Sequence, residues 1–445
     1  MTRPLSKLLG TAQAPPRSAT GYVLWLLFVG NLLNFYDRAL PSVVLEPIKD
    51  EFGLDDTRVG ILASAFVLVA AAAGVPLGRL ADRIPRAKVA GWGLFAWSAF
   101  TAAGALLPGF WGFFASRVGV GVGESSYGPA TGSLLSDLYP SERRSRANSL
   151  FMLGFPIGTL LAFLTAGGLA VAFDSWRAPF LAAAVPGVVV ALLVLRIREP
   201  ERGAAEPVPG AGPGRENRAA SLRSLLKVRS LYGMLVAFAG YNFAAYAVGT
   251  FLTPVLQRWY GLDLVAAGAV GGVVVGLTGL VGLLAGGRVL DRAARTSPAA
   301  RTRVATACLA GAAVFSLIGL AADQGSLWQL VVFLSLGYML GIVYLAAAVP
   351  VVSDVIGPEQ RSGALGLMFA VGYLLGGAGG PVLVGALSDA LAAGSASDAA
   401  SAHGLQTAMT ITVPLAFAVA AVGMLLTARS VQADRDSMLA REATA

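Results

Sequence analysis

The chain has 445 residues, of which 56% are hydrophobic and only 13% charged. Its mean hydropathy of +0.69 excludes an ordinary soluble domain, where charged types are about a quarter of the residues, and it excludes a disordered chain. The formal net charge is +8, and the placement of the basic residues decides what that charge means. One cysteine, Cys308, and one histidine, His403, rule out an internal disulfide and a multi-cysteine metal site, and leave neutral-pH proton chemistry to carboxylates.

In chain order, a polar tail over 1–19 leads into apolar stretches at about 20–46, 57–78, 88–107, 109–137, 147–172, 177–195, 230–257, 263–287, 303–322, 326–353, 362–388 and 405–428. Most approach or exceed the roughly 20 residues that a helix needs to cross a bilayer. They are apolar throughout, as between Gly60 and Gly78, so helices are expected and not the alternating strands of a barrel. The first stretch contains Asn31, Asn34, Asp37 and Arg38, unlike a cleavable signal peptide. The polar break at 196–229 is rich in Glu, Pro, Gly and Arg and reads as a flexible cytoplasmic linker. The expected fold is an all-α membrane protein of twelve transmembrane helices in two pseudo-symmetric six-helix bundles, 20–195 and 230–428, with a tail at 429–445.

Orientation follows from the bias of Lys and Arg toward the cytoplasm. With both termini cytoplasmic, 27 of the 33 basic residues lie inside, only Lys49, Arg58, Arg177 and Arg258 lie outside, and Arg38 and Arg117 sit within spans. The basic balance is thus a topology signal. The expected partner is a lipid bilayer, and no nucleic acid is expected.

The two halves carry traces of a parallel repeat. Gly78-Arg79-Leu80-Ala81-Asp82-Arg83 matches Gly287-Arg288-Val289-Leu290-Asp291-Arg292, and Asn34-Phe35 matches Asn242-Phe243. Ser136-Asp137 with Glu142, Arg144 and Ala147 matches Ser353-Asp354 with Glu359, Arg361 and Ala364. The same alignment sets Asp37, Arg38, Arg117 and Glu124 opposite Ala245, Tyr246, Leu334 and Gly341. The mid-span charges therefore belong to the N-terminal half alone, which points to a task that the shared architecture does not explain.

An ionisable side chain at the bilayer centre costs at least about 2.5–3.5 kcal/mol, so it faces a cavity or a partner. Arg117 and Glu124 are two turns apart on one helix face, with Gly121 between them. Asp37, Glu124, Arg117 and Arg38 are the candidate proton-coupling residues, against the alternative of a static cluster that joins two helices. Arg38, Arg117, Asn34, Tyr241, Asn242, Tyr246 and Tyr338 are candidate substrate contacts, and Tyr344 has the same character. Asp82, Arg83, Arg86, Asp137, Asp291 and Arg292 lie at expected cytoplasmic helix ends and form a candidate gate, in which Asp82 could accept hydrogen bonds from a helix N-terminus of the other half.

The glycine-rich runs at 119–123 and 376–380 lack the strand context and Lys-Ser/Thr of a nucleotide loop and read as close helix packing. Pro156 and Pro381 are expected to bend the fifth and eleventh spans. There is no nucleophile elbow and no metal-ligand spacing, so neither an enzyme nor a metal or other cofactor is expected.

Two six-span halves with Gly78-Arg-Leu-Ala-Asp82-Arg83-Ile-Pro-Arg86 between the second and third spans resemble the major facilitator superfamily. Asn34-Phe-Tyr-Asp37-Arg38, Arg117 through Glu124-Ser-Ser-Tyr127-Gly-Pro-Ala, and Phe155-Pro156-Ile-Gly158 are similar to its Spinster branch, which includes transporters of sphingosine phosphate and lysophospholipids. The resemblance implies alternating access, a proton-linked role for Asp37 with Arg117 and Glu124, a lysolipid or other small-molecule substrate moved with protons, and a monomer. Pro85 stands where the family loop has Gly. The Asp37-Arg38 pair and the arginine preceding Glu124 also resemble the anion:cation symporters, so an organic-anion/proton symporter and a proton-independent uniporter stand as alternatives. Short polar tails and a single cysteine fit a bacterial inner-membrane protein.

Overall fold

The computed structural model describes residues 17–200, 225, 227–357, 360–394 and 397–444, apart from the side chains of 17–19, 75, 82, 141, 142, 145, 298, 362 and 441–444. The expectations for the tail at 1–16, for most of the linker and for the Asp82 side chain fall outside the described residues.

All regular structure among the described residues is helical. The N-terminal half runs α1 (Arg17–Val43), α2 (Leu45–Phe52), α3 (Asp56–Arg83), α4 (Arg86–Leu106), α5 (Gly109–Ser125), α6 (Tyr127–Leu138), α7 (Ser141–Met152), α8 (Gly154–Ala172) and α9 (Ala178–Leu195). The C-terminal half runs α10 (Arg229–Arg258), α11 (Leu264–Gly271), a first π segment (Gly272–Leu277), α12 (Thr278–Ala294), α13 (Pro298–Leu320), α14 (Leu327–Val355), α15 (Arg361–Val371), a second π segment (Gly372–Ala378), α16 (Gly379–Ala392) and α17 (Asp398–Thr444).

Among the described residues, ten helical stretches are long and apolar enough to cross a membrane. The first and fourth of the expected twelve are not among them. Asn31, Asn34, Asp37 and Arg38 dilute the apolar content of α1, and the fourth stretch divides at Ser126 into helices of 17 and 12 residues. Proline accounts for that division and for two others, because it cannot donate to the carbonyl four residues back. Pro129 leaves the Ser125 carbonyl without a partner beside the α5–α6 junction, and Pro156 does the same to Met152 beside the α7–α8 junction at Leu153. Pro381, the third residue of α16, withholds a bond from the carbonyl of Gly377 inside the second π segment. The residues of the expected C-terminal tail continue α17 as helix to Thr444. They contain neither Gly nor Pro, and Gln432 supports the helix with a 3.0 Å bond to Asp436 one turn on.

Side chains at helix starts fix several boundaries by accepting orphan backbone N–H groups. Asp55 accepts from Arg58 at 2.7 Å, Asp263 from Ala266 at 2.8 Å and Ser297 from Ala300 at 3.0 Å. The outer surface carries many exposed Leu and Val, together with Trp25, Trp92, Trp111 and Trp328 near helix ends, which suits a chain whose solvent is lipid with aromatic residues at the headgroups.

The repeat seen in the sequence recurs in side-chain geometry. Arg144 donates to the Ser136 carbonyl at 3.1 Å, and Arg361 donates to the Ser353 carbonyl at 3.0 Å. Arg86 pairs with Asp137, and Arg301 pairs with Asp354 at 2.9 Å.

Two apolar cores position the site. One joins both halves, from Leu40, Ile48 and Phe113 to Phe251 and Phe417. The other, built on Leu27, Leu94, Trp97, Tyr127 and Leu134, belongs to the N-terminal half alone. Along α1, Val23, Leu26 and Leu27 belong to the second core and Ala39, Leu40 and Val43 to the first, so Asp37 and Arg38 lie between them.

The halves are tied at the end near the shared core. Arg258, at the end of α10, donates to both Asp56 oxygens at 2.9 Å and to Glu46 at 2.6 Å. Asp56 also accepts from Lys49 at 2.6 Å and from the Ser388 hydroxyl at 2.7 Å. Asp389 on α16 caps α3 from across the interface, accepting from the Asp56 and Thr57 backbone at 3.1 and 2.8 Å and from the Thr57 hydroxyl at 2.5 Å. Glycines allow the approach: a Cβ on Gly385 would stand 2.1 Å from the Asp56 carbonyl oxygen, and one on Gly60 would stand 2.3 Å from that of Pro381.

Candidate functional site

The four mid-span charges converge, but not as four equivalent partners. Arg38 on α1 donates its Nε to Glu124 Oε2 on α5 at 2.5 Å. Asp37, the preceding residue, points the other way and accepts from the Thr101 hydroxyl on α4. Thr101 in turn accepts from Arg117 Nη2 at 3.2 Å. The sequence groups two carboxylates with two arginines; the structure resolves them into a direct ion pair and a neutral hydroxyl set between Asp37 and Arg117.

Burial makes both arrangements consequential. Asp37, Arg117 and Glu124 are 3, 4 and 2% exposed, whereas the Arg38 side chain keeps 29% of its surface. Arg117 lies 5.7 and 5.3 Å from the ring centres of Phe113 and Phe180, and Arg38 lies 4.9 and 5.5 Å from those of Phe35 and Phe66. The rings exclude water and offer their negative faces to the guanidinium groups. Gly121, expected on the same face as Arg117 and Glu124, meets α3: a Cβ there would lie 3.1 Å from the Phe66 carbonyl oxygen. Its bare backbone lets α3 come close enough to bring Phe66 against Arg38.

Several buried polar atoms in this layer make no hydrogen bond among the described residues: Asn34 Nδ2, Asp37 Oδ1, Arg117 Nε and Glu124 Oε1. Each such atom costs about 1–3 kcal/mol when left unsatisfied. A concentration of them beside two buried carboxylates is what a site for a proton, a water or a polar ligand requires.

The other expected contacts divide. Tyr246 is half-buried, while Tyr241, Asn242 and Tyr338 are buried at 5, 5 and 6% exposure. Asn242 donates to the Phe238 carbonyl one turn back at 2.8 Å, and Tyr241 packs on Tyr344 with ring centres 5.6 Å apart.

At the expected gate, Arg86 is buried and pairs with Asp137, donates to Ser133 Oγ at 3.0 Å and holds Glu199 at 2.6 Å. Glu199 also accepts the Ala87 N–H at 3.2 Å, tying the start of the linker to α4. Arg83, Asp291 and Arg292 are exposed, and their side chains make no hydrogen bond among the described residues. The structure therefore brings Arg86 and Asp137 together and leaves these three apart.

A depression of about 350 Å³ lies at the tied end, lined by Pro47, Glu51, Trp176, Arg177 and Leu264 among others. It contains none of the expected substrate contacts. Two of its charged residues, Glu51 and Arg177, are already engaged with each other: Arg177 Nη1 and Trp176 Nε1 each donate to Glu51 at 2.7 Å.

Paired buried charges in a helical membrane fold with a two-fold internal repeat call for comparison with known transporters. The Major Facilitator Superfamily profile matches residues 27–381. The chain belongs to that superfamily. It is 31% identical over 377 residues, 84% of its length and 86% of the relative's, to an MFS-type efflux pump of Mycolicibacterium smegmatis. It is 29% identical to protein spinster homolog 1 of Homo sapiens over 86% of this chain and 75% of that one. Its identity to the sphingosine-1-phosphate transporter SPNS2 of Xenopus tropicalis is 28%, over 82% and 73% of the two chains. The fold matches a bacterial homolog of the human lysosomal transporter Spinster, in an inward-facing and unoccupied conformation, with a TM-score of 0.83 at 24% identity over 94% and 99% of the chains.

The transporter is Spinster-like, a multi-pass integral membrane protein and not an enzyme. Its residues supply what the sequence alone left unnamed: Thr101 between Asp37 and Arg117, Glu199 on Arg86, Arg301 as the counterpart of Arg86, and the Arg258–Asp56–Asp389 tie. Arg301 could have been found from the repeat, since it lies 215 residues beyond Arg86 and its partner Asp354 lies 217 beyond Asp137.

Proposed function

We propose that this transporter is proton-coupled, works by alternating access and moves an anionic amphiphile of the lysophospholipid or sphingolipid type. It spans the membrane twelve times, with the halves of the helix pairs α5–α6 and α7–α8 each forming one span. Both termini and the linker at 196–229 lie in the cytoplasm, and the two bundles are 20–195 and 230–428. The tied end then faces outward. The transporter acts as a monomer in a bacterial inner membrane, without cofactor or metal.

The observation that carries this reading is the buried Arg38–Glu124 pair beside Asp37. Protonation of Glu124 removes the charge that holds Arg38 Nε, and protonation of Asp37 removes the acceptor that orders Thr101 beneath Arg117. Either event changes what an arginine offers to an anionic headgroup. Proton and substrate thereby bind with different affinity in different states, which is the requirement for coupling. The substrate class is supported by the relatives named for Spinster and for sphingosine-1-phosphate transport, and by the apolar C-terminal half that would face the acyl chain. Competition for uptake into proteoliposomes tests the class. Inhibition by lysolipids and not by sugar acids is expected; inhibition by sugar acids alone would overturn the lipid assignment in favour of an organic anion.

A further inference from the structure

Arg38 is held to Glu124 through Nε alone, and its two terminal nitrogens make no hydrogen bond among the described residues. The planar end of the guanidinium, the part that grips phosphate in two-pronged fashion, is therefore available while the ion pair is intact. Phe35 and Phe66 hold the guanidinium plane from two directions. One residue beyond Phe66, Val67 meets the C-terminal half at Gly377, whose Cβ position lies 3.0 Å from Val67 and 3.4 Å from both Tyr246 and Tyr373. These two phenols belong to α10 and to the second π segment. Their rings meet edge to face with centres 6.4 Å apart, both are half-buried, and both lie close enough to Arg38 to interact with its charge. The π segment, with its widened turn, is a feature that recurs at functional positions, and it carries Tyr373.

We infer that Tyr373, with Tyr246, forms the C-terminal wall of a headgroup subsite whose N-terminal wall is the free end of Arg38, and that this subsite selects phosphomonoesters over phosphodiesters. This inference rests on the substrate class proposed above and names what reads its headgroup. A phosphomonoester presents three terminal oxygens and a charge between about −1.5 and −2 at neutral pH. Two oxygens satisfy the arginine fork, and the third remains to accept from the phenol hydroxyls across the interface. A diester has only two terminal oxygens and a single negative charge, so a phenol must share an oxygen already bound by the fork and meets a weaker acceptor. Because Arg38 and the phenols belong to different halves, a monoester also joins the halves more strongly than a diester does.

The test is equilibrium binding to the purified full chain of two lysolipids with the same acyl chain, lysophosphatidate and lysophosphatidylcholine, in the parent, Tyr373→Phe and Tyr246→Phe. Phenylalanine keeps the ring packing of Tyr373 on Phe369, so folding is preserved. Tyr373→Phe is expected to weaken lysophosphatidate about tenfold, the size of one hydrogen bond to a charged group, and to leave lysophosphatidylcholine within about twofold. Equal weakening of both lipids, or of neither, would overturn the inference while leaving the lipid class standing. If neither lipid binds the parent, the lipid class itself fails, and inorganic phosphate then decides the subsite alone: binding that is lost in Tyr373→Phe sustains it, and no phosphate binding to the parent ends it.

Discussion

Arg258 is the residue whose removal most directly tests how the halves are held. Its guanidinium makes two bonds to Asp56 and one to Glu46, and its side chain is 10% exposed while that of Asp56 is 2% exposed. Hydrogen bonds to charged groups contribute about 1.5–3 kcal/mol each, but the full sum does not apply. Lys49 remains on Asp56 at 2.6 Å after Arg258→Ala, and both carboxylates regain water once the halves part. A net loss of about 3 kcal/mol to the tied state is the reasonable expectation, roughly two orders of magnitude in population. A transporter held about 99:1 in the tied state would then populate both states about equally. The assay is a distance distribution between spin labels at Asp50→Cys and Asp398→Cys, exposed positions on either half at this end, in a Cys308→Ala background. Arg258→Ala is expected to add a longer distance. Arg58→Ala, which removes only an exposed pair with Asp55 on the same helix end, is expected to add none. An unchanged distribution in Arg258→Ala would refute the reasoning and leave the close glycine packing as the tie.

Gly385→Ala tests that packing without touching a charge. Its methyl would meet backbone at 2.1 Å, so the same longer distance should grow, and a wild-type distribution would show that the backbones can part locally. Arg86→Ala removes the buried guanidinium that both Asp137 and Glu199 hold. A loss of about 3–5 kcal/mol is expected, read as a lower unfolding temperature, and unchanged stability would mean that these carboxylates find water. At the tied end, Glu51 is pulled below the usual carboxylate range, first by its hydrogen bonds from Arg177, against desolvation and with help from Trp176. A depressed carboxyl stabilises the folded state above its ordinary value near pH 4.3 and loses that contribution as pH falls through the lowered one. Fluorescence of Trp176 should therefore change at a pH below about 4.3 in the parent and not in Glu51→Gln; identical titrations would contradict the pairing.

Most of the spans, the repeat and the half that holds the buried charges are legible in the sequence because each has a large energetic signature. Apolar runs of span length have few other uses, and Asp37 or Glu124 within such a run is too costly to be incidental. Partner choice has no comparable signature. Arg38 finds Glu124 across 86 residues, and Thr101, a neutral residue in an apolar run, gives no sign that it stands between Asp37 and Arg117. Asp56, Arg258 and Asp389 lie at span ends, where charge is expected for topology alone, so their joint role emerges only when the halves are packed. The run from Gly376 to Gly380 is conspicuous in the sequence, but close packing explains it as well as a π turn does, and the turn is what carries Tyr373. The helix continuing to Thr444 follows from ordinary propensity, which a hydropathy reading passes over once the apolar run stops.

Substrate-driven proton movement into sealed proteoliposomes is the most direct test of coupling, measured with an entrapped pH dye for the parent, Glu124→Gln and Asp37→Asn. Proton flux that requires lysolipid in the parent and is lost in Glu124→Gln is the predicted result. Equal lysolipid movement in parent and both variants, with no accompanying proton flux, would make the buried carboxylates structural and the protein a uniporter.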